Sequence, residues 1–390
     1  MRIVQLANFV TPGSGGIRTM LEALARGYAE RGVERALVVP GPRDAVSRDR
    51  HGVCVQIGSP RLPASGGYRV ITRLREVSRI LDRLVPHSVE VSDRWTLVPV
   101  GAWAARAGVG SLAVAHERLD ATLEHRLPGL FRHQPAADWW NQRLGAAFDT
   151  VVCASAFAAE EFTSAGVRNV AQVPLGVDLD RFTPARRSPP LRRRLAAPGE
   201  ALLVLCSRLS SEKRPGRAVD AVRSLVRRGV PVRLCVAGDG PERRSLEAAA
   251  TGLPITFLGH VSDRDALAAL LATADVALAP SPAETFGLAA LEALACGTPV
   301  VCAGSGALPE LLGTRGAPAG LATAGYGPTL AAGVLAVLDW DPGHRAAAAR
   351  RRAEDFPWQA TVDRMLTLHR GGTLPAASSG MTALPAMPAA

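Results

Sequence analysis

The sequence has little lysine, few aromatic residues and no closely paired cysteines, and each scarcity excludes a class of protein. Only one of its 45 basic residues is lysine, Lys213. Aromatic residues make up 5% of the 390 residues, and there is no helix-turn-helix or RNA-binding signature, so we do not expect nucleic acid as a partner. The six cysteines show no C-x-x-C spacing, which argues against a metal knuckle or a disulfide framework and for a reducing compartment.

Long apolar runs are also missing. No stretch reaches the roughly 18 to 20 apolar residues that span a bilayer, and residues 1–9 are typical of a strand rather than of a signal peptide. The net charge is nevertheless +10, with a pI near 10.2. Scattered arginine can simply maintain solubility, but basic residues also gain about 1 kcal/mol each at an acidic lipid surface. We therefore expect a cytoplasmic protein with peripheral contact to the inner face of the membrane.

What is present is a repeated strand–helix alternation, too long for one ordinary core. Strands are predicted at 3–9, 36–39, 89–93, 111–116 and 150–154, with a helix at 17–31. After a Pro- and Arg-rich connector at 184–198, a second series has strands at 201–206, 232–237, 255–258 and 276–279. The pattern predicts an α/β protein of two doubly wound, Rossmann-like domains, 1–185 and 186–355. A helix follows at 356–370, and the Pro/Ala-rich residues 371–390 are predicted to be disordered.

Two carboxylates frame the start of the helix predicted at 288–295. Glu284 and Glu292 are eight positions apart, and a helical rise would separate them by roughly 12 Å. The first backbone N–H groups, of Phe286, Gly287 and Leu288, would face the space near Glu284 with the positive end of the helix dipole behind them. Such a site suits a sugar joined to a nucleoside through a diphosphate. Taken singly, either glutamate could instead be an ordinary solvated charge.

The single lysine lies in a second candidate segment. Lys213 and Arg208 follow the apolar strand predicted at 201–206. Because arginine and lysine differ in geometry and hydration, retention of one lysine suggests that a compact charge is required there. The competing interpretation is that Lys213 is retained by chance.

These segments together resemble the retaining glycosyltransferases of family 4, which have the GT-B fold of two Rossmann-like domains facing across a cleft. The run from Pro280 to Val301 is similar to the family's E-x7-E segment, and Ser207 to Lys213 resembles its G-R-L-x-x-E-K segment, with serine in place of glycine. The resemblance implies that 1–185 is the acceptor-side domain, that 186–355 binds the nucleotide-sugar donor, and that the helix at 356–370 crosses back to the first domain. It also implies that Arg208 and Lys213 hold the donor diphosphate. Glu284 would then bind the sugar hydroxyls and Glu292 the ribose.

Residues of the first half complete the candidate site. Gly15 and Gly16 lie in a glycine-rich turn between the first strand and its helix, where backbone can approach a phosphate closely. By resemblance, Gly16 would lie beside the donor diphosphate. His116 ends the strand predicted at 111–116, and the resemblance implies a position at the transferred sugar and the reacting centre. A packed or solvated histidine is the common alternative.

The acceptor side rests on a narrower resemblance. The string from His116 to Asp120, the run from Ser65 to Arg69 and the run from Glu90 to Arg94 are similar to actinobacterial mannosyltransferases that act on phosphatidylinositol with GDP-mannose. This resemblance implies that acceptor-side candidates are Tyr68, Arg69, Asp93 and Arg94.

A metal is not expected. Asp178-Leu179-Asp180 has the D-x-D form of metal-dependent transferases, but it follows a stretch that resembles a linker turn of the GT-B fold. Arg208, Lys213 and the helix dipole can already neutralise a leaving diphosphate. We therefore expect no metal and no cofactor, with GDP-mannose as the donor substrate.

The sequence thus predicts a retaining α-mannosyltransferase that uses GDP-mannose and a lipid-linked acceptor such as phosphatidylinositol or its mannosides. Transfer of another hexose from a UDP- or other nucleotide sugar to a small hydroxyl acceptor or glycan is the alternative within the same enzyme class. A GT-B protein that binds sugar nucleotides without catalysis is the competitor from another class, and a basic nucleic-acid binder is third.

Overall fold

The computed structural model describes residues 1–10, 15–62, 67–126, 134–313 and 319–374. The described chain forms two units, one of residues 1–175 with 358–374 and the other of Gly176–Pro357. The sequence-based domain limits near 185 and 355 remain predictions beside these bounds. The expected disorder of the tail concerns residues that lie mostly outside the described ranges, since 375–390 are not among them.

In the described residues, the first unit has an eight-stranded sheet of order β3-β4-β2-β1-β5-β6-β7-β8. All neighbouring pairs are parallel except the β3–β4 hairpin. Its strands and helices are β1 (Arg2–Ala7), α1 (Gly16–Glu30), β2 (Glu34–Gly41), β3 (Ala45–Asp49), β4 (Gly52–Gly58), α2 (Leu74–Leu84), β5 (Ser88–Ser92), α3 (Pro99–Ala107), β6 (Gly110–Ala115), α4 (Leu119–Arg126), α5 (Gln134–Ala147), β7 (Thr150–Cys153), α6 (Ala156–Ser164) and β8 (Val170–Gln172).

The second unit has, in its described part, a six-stranded parallel sheet of order β11-β10-β9-β12-β13-β14. Its elements are α7 (Pro189–Leu195), β9 (Ala201–Cys206), α8 (Gly216–Arg227), β10 (Val232–Ala237), α9 (Arg243–Ala249), β11 (Ile255–Gly259), α10 (Arg264–Thr273), β12 (Val276–Ala279), α11 (Leu288–Ala295), β13 (Val300–Ala303), α12 (Leu308–Leu312), β14 (Gly320–Thr323), α13 (Gly327–Leu338) and α14 (Pro342–Glu354). The chain ends its described part with α15 (Trp358–His369), which belongs to the first unit.

Both sheets have the strand order of a doubly wound fold, so the predicted α/β class is confirmed. In each sheet the order reverses between the first strand and a later one, β1 and β5 in the first unit and β9 and β12 in the second. Loops after such a pair diverge to opposite faces and leave a crevice at the carboxyl ends of the strands, where ligands bind in open α/β sheets. In each unit, a binding site is therefore expected near the reversal point of that unit's sheet.

Apolar side chains on both sides of each sheet explain the parallel arrangement. β5 is buried along its whole length and β9 along most of it, as strands covered by helices on both faces must be. Helix α15 completes the core of the first unit, where Val362 and Leu366 pack with Leu24 and Tyr28 of α1. Gly27 allows this approach, because a Cβ there would lie 2.4 Å from a methyl carbon of Val362.

The connector predicted at 184–198 contains more structure than its composition suggested. Ser188 caps α7 by accepting a hydrogen bond from the backbone N–H of Leu191, and Pro189 and Pro190 occupy its first positions. A capping serine followed by proline is a helix-start signal. In the described ranges, no helix is long and apolar enough to span a bilayer.

Candidate active site

Arg208 and Lys213 lie on a tightly held loop that follows β9. Leu209 is fully buried, and residues Ser211–Lys213 form one turn of 3-10 helix. Arg214 then adopts a left-handed backbone with φ 50°, a conformation that is uncommon for a residue other than glycine. Strained backbone of this kind concentrates at functional sites.

The Gly238-Asp239-Gly240 segment packs closely against the backbone of this loop. A Cβ at Gly238 would lie 1.8 Å from the carbonyl oxygen of Ser207, and one at Gly240 would lie 2.3 Å from that of Leu209. The backbone N–H of Leu209 also donates to the carbonyl oxygen of Asp239, at 3.0 Å. Both glycines are therefore required by close backbone packing. The serine that replaces the family glycine fits, since its hydroxyl donates to the carbonyl oxygen of Arg208.

Lys213 is paired with Glu284. Its Nζ lies 2.6 Å from Oε2 of Glu284, and the two side chains are 30% and 23% exposed. Burial lowers the pKa of Lys213, but the attraction of Glu284 and the hydrogen bond to it outweigh burial, so that this pKa lies above its ordinary value. The structure therefore brings together two residues that are 71 positions apart. They follow β9 and β12, the two strands at the reversal point of the second sheet.

The loop that carries Glu284 is fixed by a neighbouring turn. The backbone N–H of Ala307 donates to the carbonyl oxygen of Glu284, at 2.8 Å. Gly306 has φ +85°, and a Cβ there would lie 3.1 Å from backbone atoms of Glu284. Gly287 precedes α11 with φ +95°, and a Cβ there would lie 2.3 Å from a methyl carbon of Leu308.

Helix α11 covers the predicted residues, but it begins only at Leu288. The estimate of roughly 12 Å between the carboxylates assumed a helical rise from Glu284 onward. That assumption is wrong, because the residues from Glu284 to Gly287 are not helical. Phe286 is buried and packs edge-on against Phe356, with ring centroids 6.1 Å apart.

Glu292 is held by an arginine that the sequence did not single out. Its Oε1 lies 2.6 Å from the guanidinium of Arg264, and its side chain is 7% exposed. Burial raises the pKa of Glu292, and Arg264 partly offsets this. Arg264 begins α10 and lies 4.8 Å from the ring centre of Phe182. The signal available in the sequence was its position soon after β11, at the carboxyl edge of the same sheet.

In the first unit, β6 ends at Ala115, so His116 directly follows the strand that it was predicted to end. Burial lowers its pKa to about 4, Glu90 opposes this shift, and Arg94 adds to it. The imidazole is therefore neutral at physiological pH. A neutral ring can exchange hydrogen bonds with sugar hydroxyls without repelling a developing positive charge.

Gly15 precedes α1, and Gly16 is the first residue of that helix. Gly15 has φ −83°, and a Cβ there would meet nothing within 4 Å. The packing around Gly15 therefore leaves room for a side chain. The neighbouring Gly13 and Ser14 of the predicted turn lie outside the described residues.

Two of the acceptor-side candidates are near the end of β4. The ring of Tyr68 packs edge-on against Phe9, with centroids 5.9 Å apart, and Phe9 has a left-handed backbone with φ 59°. The guanidinium of Arg69 donates to the carbonyl oxygen of Ser59. Ser65 and Gly66 of the same run lie outside the described residues.

The other two are buried after β5. Asp93 accepts hydrogen bonds from the backbone N–H groups of Trp95 and Leu97, and burial raises its pKa despite these bonds. Arg94 lies 2.8 Å from Glu161, and these side chains are only 5% and 1% exposed. Asp93 and Arg94 thus shape the loop and anchor it to α6. Direct contact with an acceptor stays a prediction, and this burial argues against it for Arg94.

The D-x-D sequence has a structural role. Asp178 accepts a hydrogen bond from the backbone N–H of Arg181 and forms an ion pair with its side chain. The part of the chain that the structure describes contains no group of three or more His, Cys, Asp or Glu residues that could hold a metal ion. That the reaction needs no metal remains a prediction.

The second unit therefore carries a lysine, an arginine and a glutamate at the reversal point of its sheet, beside the N-terminus of a helix. This combination suits a nucleotide-linked substrate on a doubly wound fold. Residues 14–181 match the Glycosyltransferase Family 4 domain, and residues 200–339 match Glycosyl transferases group 1.

Relatives of the chain agree with these families. It is 46% identical over 367 residues to a GDP-mannose-dependent alpha-(1-6)-phosphatidylinositol dimannoside mannosyltransferase of Mycobacterium tuberculosis strain H37Ra, covering 94% of this chain and 95% of the relative. It is 30% identical to D-inositol 3-phosphate glycosyltransferase 1 of Catenulispora acidiphila, covering 92% and 91%. The chain belongs to glycosyltransferase family 4, and it is a glycosyltransferase.

Solved structures show the same fold. A sucrose-phosphate synthase from Thermosynechococcus elongatus aligns with a TM-score of 0.74 at 19% identity, covering 95% of this chain and 99% of that one. HepE of Anabaena in complex with UDP-glucose aligns with a TM-score of 0.73 at 20% identity, covering 95% and 100%. The fold is GT-B, as the sequence predicted.

Proposed function

We propose that this protein transfers an α-mannosyl group from GDP-mannose to a hydroxyl group of a phosphatidylinositol-type glycolipid, with retention of configuration. The observation that carries the proposal is the Lys213–Glu284 pair beside Arg208 at the reversal point of the second sheet. The mannosyltransferase relative, similar over nearly the whole chain, supports the choice of donor and acceptor class.

The diphosphate is the group whose charge grows as the sugar departs. Lys213 and Arg208 would stabilise that charge, with the N–H groups at the start of α11 assisting them. These groups are held by short backbone contacts and need little rearrangement during the reaction, which is how electrostatic stabilisation becomes effective. No metal is needed in this scheme.

Binding of the sugar requires hydrogen bonds. The reaction also requires that no cation lies beside the positive charge that develops on the sugar. Glu284 would accept hydrogen bonds from mannose hydroxyls, and binding of the donor would give Lys213 a phosphate partner in addition to Glu284. His116 would hold the sugar near the reacting carbon. Because burial keeps His116 neutral, it does not repel the oxocarbenium character that develops there.

Glu292 would bind the ribose hydroxyls, which requires it to share or exchange its contact with Arg264. No carboxylate among the candidates is assigned as a covalent nucleophile. We therefore propose attack by the acceptor hydroxyl on the face from which GDP departs. The bond to the anomeric carbon breaks with its electron pair on the diphosphate oxygen, and the acceptor proton passes to the departing phosphate.

We also propose that the enzyme works as a peripheral protein at an anionic membrane surface on the cytoplasmic side. The net charge of +10 supports attraction to acidic lipids.

The direct test is a donor panel followed by a transfer assay. We expect GDP and GDP-mannose, without added metal, to raise the melting temperature, whereas UDP-, ADP- and dTDP-sugars do not. Radiolabelled mannose from GDP-mannose should then appear in a phosphatidylinositol mannoside extracted into organic solvent. Stabilisation by UDP-sugars instead would contradict the mannosyl assignment. If no nucleotide sugar raised the melting temperature and no mannose were transferred, the result would favour a non-catalytic binding protein.

A further inference from the structure

The first unit contains a largely apolar pocket that the proposed chemistry does not use. Its volume is about 300 Å³, and its walls include Leu74, Trp95, Val98 and Trp140. Trp95 follows β5, one of the two strands at the reversal point of the first sheet. The side chain of Asn8, after β1, donates to Thr96 in the same loop, at 2.9 Å. The pocket is therefore built at the place where this fold receives ligands.

Of the six tryptophans in the sequence, two line this pocket, Trp95 and Trp140, and a third, Trp139, packs beside them. The rings of Trp95 and Trp140 are 5.4 Å apart, and those of Trp139 and Trp140 are 5.7 Å apart. Trp95 is 36% exposed and Trp139 is 57% exposed. The indole N–H of Trp140 donates to the carbonyl oxygen of Arg94, so its polar edge is satisfied and the rest of its ring offers apolar surface.

The lining of the pocket includes a positive charge. Arg143 lines it and places its guanidinium over the rings of Trp139 and Trp140, at 5.7 and 6.0 Å. Arg75 is exposed one position after the lining residue Leu74. An apolar pocket with a cation in its lining is complementary to an acyl chain that carries an anionic phosphate at its end.

We propose that this pocket takes the upper part of one acyl chain of the phospholipid acceptor, with Arg143 near its phosphate. The inference rests on the proposed function and specifies it further, since it names the part of the acceptor that the first unit recognises. A sugar ring would need several polar partners at the walls. The lining has Thr72, Thr96 and Arg143 as polar residues, and the rest of it is indole, proline and aliphatic carbon.

The pocket can be blocked from its rim. Thr72 lines it and is exposed, so Thr72→Phe should fill the opening without disturbing the core. Trp139→Ala is the matched control, because Trp139 belongs to the same aromatic group but does not line the pocket. Melting temperatures and stabilisation by GDP should be the same in both variants and the parent.

Binding of dioctanoyl-phosphatidylinositol below its micelle concentration, measured by calorimetry, tests the pocket without turnover. We expect the parent to bind, Thr72→Phe to bind at least tenfold more weakly, and Trp139→Ala to bind within twofold of the parent. Lengthening the chain should tighten binding roughly fourfold per buried methylene in the parent but not in Thr72→Phe. Absence of binding to the parent, or equal binding by Thr72→Phe, would overturn the proposal. Equal weakening by both variants would indicate general adsorption and would also overturn it.

The transfer assay separates this proposal from the proposed function. Thr72→Phe should lower kcat/KM at least tenfold for acylated phosphatidylinositol mannoside and leave kcat/KM unchanged for the deacylated acceptor. An equal loss for both acceptors would place the pocket at the headgroup and contradict the acyl-chain assignment. If the parent transfers mannose to neither acceptor, the proposed function fails, whereas the calorimetric result still decides what the pocket binds.

Discussion

Replacing Lys213 with alanine removes the only ammonium side chain of the protein from a pair that is only partly exposed to water. Lys213 and Glu284 are 30% and 23% exposed and lie 2.6 Å apart. A pair at this level of exposure contributes about 1 kcal/mol or less to stability. The diphosphate, by contrast, gains charge in the transition state beside a preorganised cation. Loss of one such group lowers kcat by about 10² to 10³-fold, or roughly 3 to 4 kcal/mol.

The variant also leaves Glu284 facing the donor without its counterion, which should raise the KM for the donor. Lys213→Arg keeps the charge but changes its shape on a loop held by backbone contacts, and we expect kcat to fall at least tenfold. The assay is steady-state transfer of radiolabelled mannose, with urea unfolding in parallel.

A matched control lies in the same unit. Arg233 of β10 lies 3.0 Å from Glu200, with exposures of 33% and 18%, at the amino ends of the strands rather than the carboxyl ends. Arg233→Ala should cost about the same stability and leave kcat unchanged. If Lys213→Ala retained kcat within twofold of the parent, the assignment of Lys213 to the diphosphate would be refuted. A similar loss of kcat in Arg233→Ala would show that stability, not electrostatics, controls the rate.

Changes at four single positions give further predictions. Glu292→Ala should weaken GDP binding, measured by calorimetry, more than it weakens discrimination between GDP-mannose and GDP-glucose, because the ribose is common to both donors. His116 has a folded pKa of about 4 against an ordinary value of 6.5, so the unfolded chain takes up its proton first as the pH falls. Stability should therefore decline between pH 6.5 and 4, by up to about 3 kcal/mol, and His116→Gln should reduce this decline in urea unfolding. Gly287→Ala should destabilise the protein by about 1 to 3 kcal/mol through its left-handed backbone, whereas Gly15→Ala should leave the unfolding free energy unchanged and weaken the donor's binding.

Each of these has an outcome that would contradict it, and for Gly287→Ala that outcome is an unchanged free energy of unfolding. Unchanged GDP affinity in Glu292→Ala would remove this residue from the ribose. A decline of the same slope in His116→Gln would assign the acid sensitivity to other groups. Normal donor affinity in Gly15→Ala would show that no phosphate approaches that backbone.

Local patterns in the sequence located several elements closely. β9, β10 and β12 match the predicted limits, because continuous buried apolar runs bounded by loop residues have few alternatives. Helix α11 was equally clear, since Leu and Ala fill it and Gly297 follows it. The E-x7-E and Arg-Lys segments also led to the family, which the matching domains confirm.

Local sequence patterns did not predict contacts between residues that are far apart in the chain. The Arg264–Glu292 pair joins residues 28 positions apart on different helices, and no local period reports such a contact. Asp93 and Arg94 have the appearance of exposed loop charges in the sequence, yet the fold buries both. The β3–β4 hairpin was not predicted, because β3 is exposed along its whole length and lacks an apolar pattern.

The position of α15 has a consequence for biosynthesis. The core of the first unit includes Val362, Met365 and Leu366, yet the ribosome makes these residues only after the whole second unit. In a growing chain, the apolar face of α1 therefore stays uncovered until Gly176–Pro357 has been translated. Chains that end before Trp358 would lack the last part of the core of the first unit, although synthesis of that unit begins first.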